Sequence, residues 1–169
     1  MKLNQLFKLL IDITFYMLIP VVVLFPGTIL YLLIFPGQQI ITHLPYAEQG
    51  VGWETVLILL TIYGAYLLFF VGFYNLRKFT ALLLKDRLFK NSSVQCTKRI
   101  GQFFTGCGSF SLTLKLIYVL FLSTESHIKF GVSDIQLYLF LIIIGVFFLI
   151  LSRAFERALQ MEEESKLTI

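Results

Sequence analysis

The sequence predicts an all-α integral membrane protein, a four-helix bundle that leaves little mass outside the bilayer. Three observations carry that expectation. Of 169 residues, 57% are hydrophobic and 14% charged, against about a quarter charged in a soluble domain. The mean hydropathy is +0.83, and a small soluble domain cannot hide that much apolar surface. Four long apolar stretches each approach the roughly 20 residues that cross a bilayer. They separate segments that are alternately rich and poor in Lys and Arg. This composition excludes a soluble enzyme, a disordered tail and a secreted disulfide scaffold.

The first stretch, 9–35, follows Lys2 and Lys8. It is too long for the apolar part of a signal peptide, and no small-x-small cleavage site follows, so it is read as a span. Pro20 and the pair Pro26-Gly27 predict kinks within it, and Pro36-Gly37 ends it. The loop 36–52 has turn chemistry around His43 and Pro45, with Tyr46 and Trp53 as aromatic anchors at the water interface.

The second stretch covers 53–74 and runs outward as an amphipathic helix to residue 88. Phe79, Leu82, Leu83 and Leu84 oppose Arg77, Lys78, Lys85 and Arg87, a pattern suited to an anionic leaflet. A tight turn follows at 89–92. Ser92 and Gln95 fit a capping box, which predicts a helix from Ser93 into the third stretch, 101–122. Residues 76–100 therefore form a basic helical hairpin. The fourth stretch is 135–151. Residues 152–169 continue it as a helical tail, with Arg153, Glu156, Arg157 and Gln160 on the wet side. Glu162, Glu163 and Glu164 then place acid at a helix C-terminus, where the macrodipole disfavours it, so the tail calls for a basic partner.

Orientation follows from the cations. The N-terminal flank, the central hairpin and the C-terminal tail hold Lys and Arg, whereas 36–52 holds none and 123–134 only Lys129. Both termini and the hairpin are thus expected on the cytoplasmic side. The pI of 9.1 reports this topology, and no direct contact with nucleic acid is expected. All of 1–169 is one transmembrane domain.

Chemistry is scarce. Cys96 and Cys107 have no metal-ligand spacing, and a structural disulfide is disfavoured on a reducing side. His43 and His127 stand alone in the outer loops. No nucleophile–base pair, phosphate loop or metal motif is present, so no enzyme activity, catalytic residue, cofactor or metal is expected.

The intramembrane polar candidates are Lys115, Asp12 and Glu54. Lys115 lies inside the third stretch. It either snorkels outward or pairs structurally with Glu54 or Asp134, or it serves a ligand or ion; the first reading is favoured. Asp12 can pair with Lys8 or with a basic residue of the hairpin, or form a proton or cation site. The run Gly106-Cys107-Gly108-Ser109 suits close helix packing. The cytoplasmic interaction candidates are Arg77, Lys78, Lys85, Arg87, Lys90, Lys98 and Arg99, with Glu162, Glu163 and Glu164 opposite them.

The segment LRKFTALLLKDRLFKNSSVQCTKRIG resembles the central signature of the domain of unknown function 2975 family, small bacterial membrane proteins with four spans. Phe89 takes the aromatic turn position, Asn91 to Ser93 the polar cap, and Lys98-Arg99-Ile100-Gly101 the basic ending. The usual turn glycine is absent, with Asp86 near that place. The ending AFERALQMEEESKLTI is similar to the family's closing pattern through Glu163-Glu164 and Leu167-Thr168-Ile169, while Ser165-Lys166 stand where Asn-Asp is common. The resemblance implies a multi-pass protein of the bacterial inner membrane with no catalytic residue to carry over. It also implies a regulatory or sensing module that accompanies a small, soluble helix-turn-helix regulator. The alternative is a subunit of a small transporter or channel that uses Lys115. Membrane lipids are expected partners in either case, and four spans would need homo-oligomerisation to enclose a pore.

Overall fold

The computed structural model describes residues 3–34, 53–84, 91–121 and 132–167. They form four helices: α1 (Leu3–Ile34), α2 (Trp53–Leu83), α3 (Asn91–Phe121) and α4 (Val132–Leu167). No strand occurs among the described residues. The β-branched and aromatic residues that favour strands in water are helical here, as a lipid setting demands of every backbone donor and acceptor.

Among the described residues, three helices are long and apolar enough to cross a membrane, over Gln5–Tyr31, Leu59–Leu83 and Ile135–Ser165. The sequence reading counts four. α3 is not among the three; it carries Gln102, Thr105, Ser109, Ser111, Thr113 and Lys115 along its length. α4 holds 36 residues, about 54 Å at 1.5 Å per residue, so it reaches well beyond a hydrocarbon layer of roughly 30 Å. It stays helical through Glu162, Glu163 and Glu164. α3 opens at Asn91, which puts Ser92 in its first turn, one step inside the cap position expected for it. The expected turn at 89–92 falls mostly on residues outside the described set.

Packing is serial. α1 lies on α2, α2 on α3 and α3 on α4, and no other pair comes together at backbone level among the described residues. α2, α3 and α4 share one buried cluster, and α1 is added on the α2 side. α1 is apolar on nearly every side, exposing Leu9, Leu10, Ile13, Met17, Val23 and Leu24 among others. Lipid is as good a neighbour as leucine for such surface, so nothing drives α1 against a second helix.

The tightest packing among the described residues lies at the basic end of these helices. Phe79 of α2 and Cys96, Ile100 and Phe104 of α3 form the buried cluster, flanked by Phe73, Leu76, Phe148 and Phe155. Ile100, Ser93 and Thr97 are fully buried there. Thr97 Oγ1 donates to the Ser93 carbonyl and Thr80 Oγ1 to that of Arg77, so these hydroxyls are satisfied within their own helices. Phe79 and Phe155 rings lie 6.4 Å apart, which ties α2 to α4 through side chains.

α3 and α4 meet through small residues. A Cβ added at Gly101 would stand 2.8 Å from the Gly145 carbonyl oxygen and 2.8 Å from the Leu149 nitrogen. One added at Gly108 would stand 2.9 Å from the Tyr138 carbonyl oxygen, and one at Gly145 would run into Thr105. Thr105 Oγ1 is buried without a hydrogen-bond partner among the described residues, close against the Gly145 backbone.

Candidate functional site

A line of polar contacts runs along the seam between α1 and α2. The seam starts from a backbone defect. Pro26 has no N–H, so the Val22 carbonyl four residues earlier loses its helical donor. In lipid that oxygen needs a replacement. Tyr63 of α2 supplies one, donating its hydroxyl to Val22 O at 3.2 Å while its ring stacks on Phe25 at 5.5 Å. One turn along, Tyr66 donates to the Leu18 carbonyl at 3.0 Å. Phe15 stacks on Phe70 at 5.1 Å and is itself buried.

The seam ends in an ion pair. Arg77 Nε donates to Asp12 Oδ1 at 2.6 Å, with the side chains 32% and 25% exposed. Arg77 Nη2 donates to the Tyr16 hydroxyl at 3.1 Å. The guanidinium carbon also stands 4.9 Å from the Phe15 ring centroid and 5.0 Å from that of Tyr16. A cation over two aromatic faces and against a carboxylate is held by both Coulombic and quadrupolar attraction. Of the partners the sequence offers for Asp12, the structure selects the hairpin residue Arg77. With its carboxylate so engaged, the cluster is a neutral clamp.

Lys115 is half-buried on the side of α3 that also bears Cys107 and Gly108, and it is not a free charge. Cys107 Sγ donates to the Ala65 carbonyl at 3.3 Å, which fixes the relative heights of α2 and α3. Lys115 lies eight residues beyond Cys107 and Arg77 twelve beyond Ala65 in the opposite direction, so about 30 Å of height separates the two cations. Asp12 and Lys115 are therefore not brought together. Glu54 sits in the first turn of α2, and its side chain, like that of Asp134, lies outside the described set.

The charged candidates crowd the end opposite to Lys115. Lys78, Lys98 and Arg99 are exposed over the buried Phe79–Ile100 cluster, and Arg153 and Arg157 are exposed on α4. Glu162, Glu163 and Glu164 are exposed on α4, seven to nine residues past Phe155, hence about 10–14 Å beyond the level of Phe79. They stand past the end of α2. Lys85, Arg87 and Lys90 lie outside the described residues, as do His43 and His127.

Sequence reasoning missed Tyr63, Tyr66, Phe15 and Tyr16. One signal was available: a proline inside a span orphans a carbonyl, and a tyrosine on the next span is a natural donor. It also passed over Gly101 and Gly145.

Residues 13–169 match the model of a family described as "Protein of unknown function (DUF2975)". No curated protein and no solved structure matches the chain.

Proposed function

Starting from the fact that this chain belongs to the DUF2975 family, we propose that it is a non-enzymatic regulatory or interaction module of the bacterial inner membrane. In this reading it crosses the bilayer four times and keeps both termini and the 76–100 hairpin in the cytoplasm. It works by retaining or releasing a small, soluble helix-turn-helix regulator.

α3 is counted as a span in spite of its polar residues. It lies antiparallel between α2 and α4, with Phe104 beside Gly72, Cys107 beside Ala65 and Gly108 beside Tyr138. A helix in register with two spans shares their height in the bilayer. The alternation of Lys and Arg sets the orientation.

One observation carries the functional reading. The best-packed part of the molecule, around Ile100 and Phe79, lies directly beneath the exposed cations Lys78, Lys98 and Arg99. α2, α3 and α4 run without a break from that platform into the apolar region. A shift of the spans therefore moves the charged platform as a rigid unit, which is the element that a lipid or ligand signal would bias. The basic platform and the acidic tail together present complementary charge to a soluble partner.

Two measurements test this. Recovery of a soluble partner on the full chain is expected to fall about tenfold, the equivalent of about 1.4 kcal/mol, when the chain ends at Gln160. It should fall likewise when Lys78, Lys98 and Arg99 are all changed to Gln. Undiminished recovery from both variants refutes the platform. Topology is read from single cysteines: Lys90→Cys should react only from the cytoplasmic side and Lys129→Cys only from the other. Reaction of both from one compartment removes the four-span reading.

A transporter or channel role for Lys115 finds less support, since Asp12 is engaged by Arg77 and lies far from Lys115 in height.

A further inference from the structure

The seam between α2 and α3 has two unlike flanks. On one, Phe69 stacks on Phe104 at 5.7 Å. That flank leads to the other helices, through Tyr66 and Phe70 to α1 and through Gly101 and Gly108 to α4. No described helix covers the other flank. It bears Val71, Asn75 and Lys78 of α2, which share a helix face at i, i+4 and i+7, and Arg99, Phe103, Gly106 and Phe110 of α3, which share another. Phe103 floors the groove between them, its Cβ 3.3 Å from where a Cβ at Gly72 would stand.

Lys78 and Arg99 stand at one height at the basic end of this groove, because their neighbours Phe79 and Ile100 pack in one cluster. Both are exposed, and neither forms an ion pair among the described residues. Arg77, next to Lys78, is by contrast engaged by Asp12. α3 has no carboxylate, and the only one on α2 is Glu54 at its far end. Beyond the cations the groove is apolar and open, with Val71 and Phe110 exposed. A Cβ at Gly106 would meet nothing within 4 Å. Phe110 lies about 16 Å along α3 from Arg99, the depth of one leaflet in a hydrocarbon layer of roughly 30 Å. Asn75, one turn deeper than Lys78, is buried, and its one hydrogen bond among the described residues runs from its amide to the Val71 carbonyl.

We propose that this groove binds an anionic phospholipid of the cytoplasmic leaflet, its phosphate between Lys78 and Arg99 and an acyl chain over Val71, Gly106 and Phe110. The site deepens the reading above, in which α2 and α3 cross the bilayer, by naming the lipid that bears on the basic platform. Charge selects the class. Two cations without a protein counter-ion favour a headgroup that is anionic overall, and disfavour one that brings its own ammonium. The apolar floor selects a lipid over free phosphate, since only a lipid covers it. The second N–H of Asn75 is a donor for a lipid ester carbonyl at that depth. Seated across both helices, the lipid stabilises the arrangement shown over any in which α2 and α3 part.

Tryptophan quenching in vesicles tests this on the full chain. Trp53, the only tryptophan, is changed to Phe, and a new one is placed in the groove by Phe110→Trp or on α4 by Phe140→Trp. The two lie at similar depth, since Gly108 packs beside Tyr138. The vesicles hold equal parts of phosphatidylcholine and phosphatidylglycerol, with bromine on the acyl chains of one or the other. At Phe110→Trp, brominated phosphatidylglycerol should quench at least threefold more than brominated phosphatidylcholine. At Phe140→Trp the two should quench alike. Lys78→Gln with Arg99→Gln should abolish the preference, whereas Lys98→Gln with Arg153→Gln, the same loss of charge elsewhere, should leave it. Equal quenching by both lipids at Phe110→Trp overturns the site. So does an equal fall in the two charge variants, which marks a diffuse counter-ion layer. Loss of the preference in inorganic phosphate at constant ionic strength marks a site for the free anion and overturns the lipid. Labelling at Lys90→Cys and Lys129→Cys in the same vesicles separates the two ideas. Opposite-side labelling without selective quenching overturns the lipid site and spares the four-span reading, whereas same-side labelling overturns both.

Discussion

Gly145→Leu is expected to unfold the α3–α4 pair, by about 3 kcal/mol, the upper end of what overpacking costs. The size of the effect follows from what the new side chain would strike. A Cβ at Gly145 runs into the Thr105 hydroxyl and backbone nitrogen and stands 3.0 Å from the Gly101 carbonyl oxygen. Two of those three atoms are backbone, and a helix backbone cannot yield as a flexible side chain can. Relief must come from separating α3 and α4, and that separation carries Ile144, Phe148 and Phe155 off the Ile100–Phe104 cluster. Gly145→Ala should already show much of the effect. Gly64→Ala is the control, because a Cβ there meets nothing within 4 Å; it should be neutral or slightly stabilising, since alanine is the better helix former. Reversible unfolding in mixed detergent micelles reads all three. Equal stability of Gly145→Leu and Gly64→Ala would show that the two backbones do not approach as described.

Much of the fold was legible because a bilayer leaves the backbone few choices. Long apolar runs had to be helices, and the charged extensions past Tyr74 and Leu151 kept enough helical pattern to be read as continuous. The limits of legibility are seen at particular residues. Gly106 and Gly108 look equivalent in sequence and both suit close packing. They are two residues apart, hence about 200° around the helix, and only Gly108 faces α4. Which of the two did so depended on where α4 lay, which composition does not encode. α3 was read as apolar by its aromatic and leucine content, while its polar residues, spread at helical intervals, lower its hydropathy below that of its neighbours.

The ion pair shows the same limit from the other direction. Asp12 had candidate partners on its own helix and on the hairpin, and the choice turned on which side of α1 meets α2. On that same seam the hydroxyls of Tyr63 and Tyr66 engage carbonyls around the prolines. A charge and two tyrosines thus act as one device, although they lie more than fifty residues apart in the chain.

Breaking that device is expected to free α1 from the rest of the molecule. Among the described residues α1 packs on α2 alone. Arg77→Gln should do more harm than Asp12→Asn. It takes the guanidinium away from the Asp12 carboxylate and also from the Phe15 and Tyr16 rings. Asp12→Asn leaves Arg77 charged, still over both rings and still able to donate to Tyr16. The exchange of Asp12→Arg with Arg77→Asp should restore the ion pair but not the ring contacts, and so recover part of the docking. Spin labels at Met17→Cys and Val71→Cys, both exposed positions, report the α1–α2 separation by dipolar spectroscopy. Wild-type clamp residues should give one narrow distance, Arg77→Gln a longer and broader distribution, and the exchanged pair a distribution between them. Rescue by the exchange is the decisive result, because mere loss of packing would leave the doubly altered chain worse than either single variant. A narrow, unchanged distance in Arg77→Gln would mean that the tyrosine hydroxyls and the Phe15–Phe70 stack hold α1 without the charge, and that the ion pair has no part in positioning it.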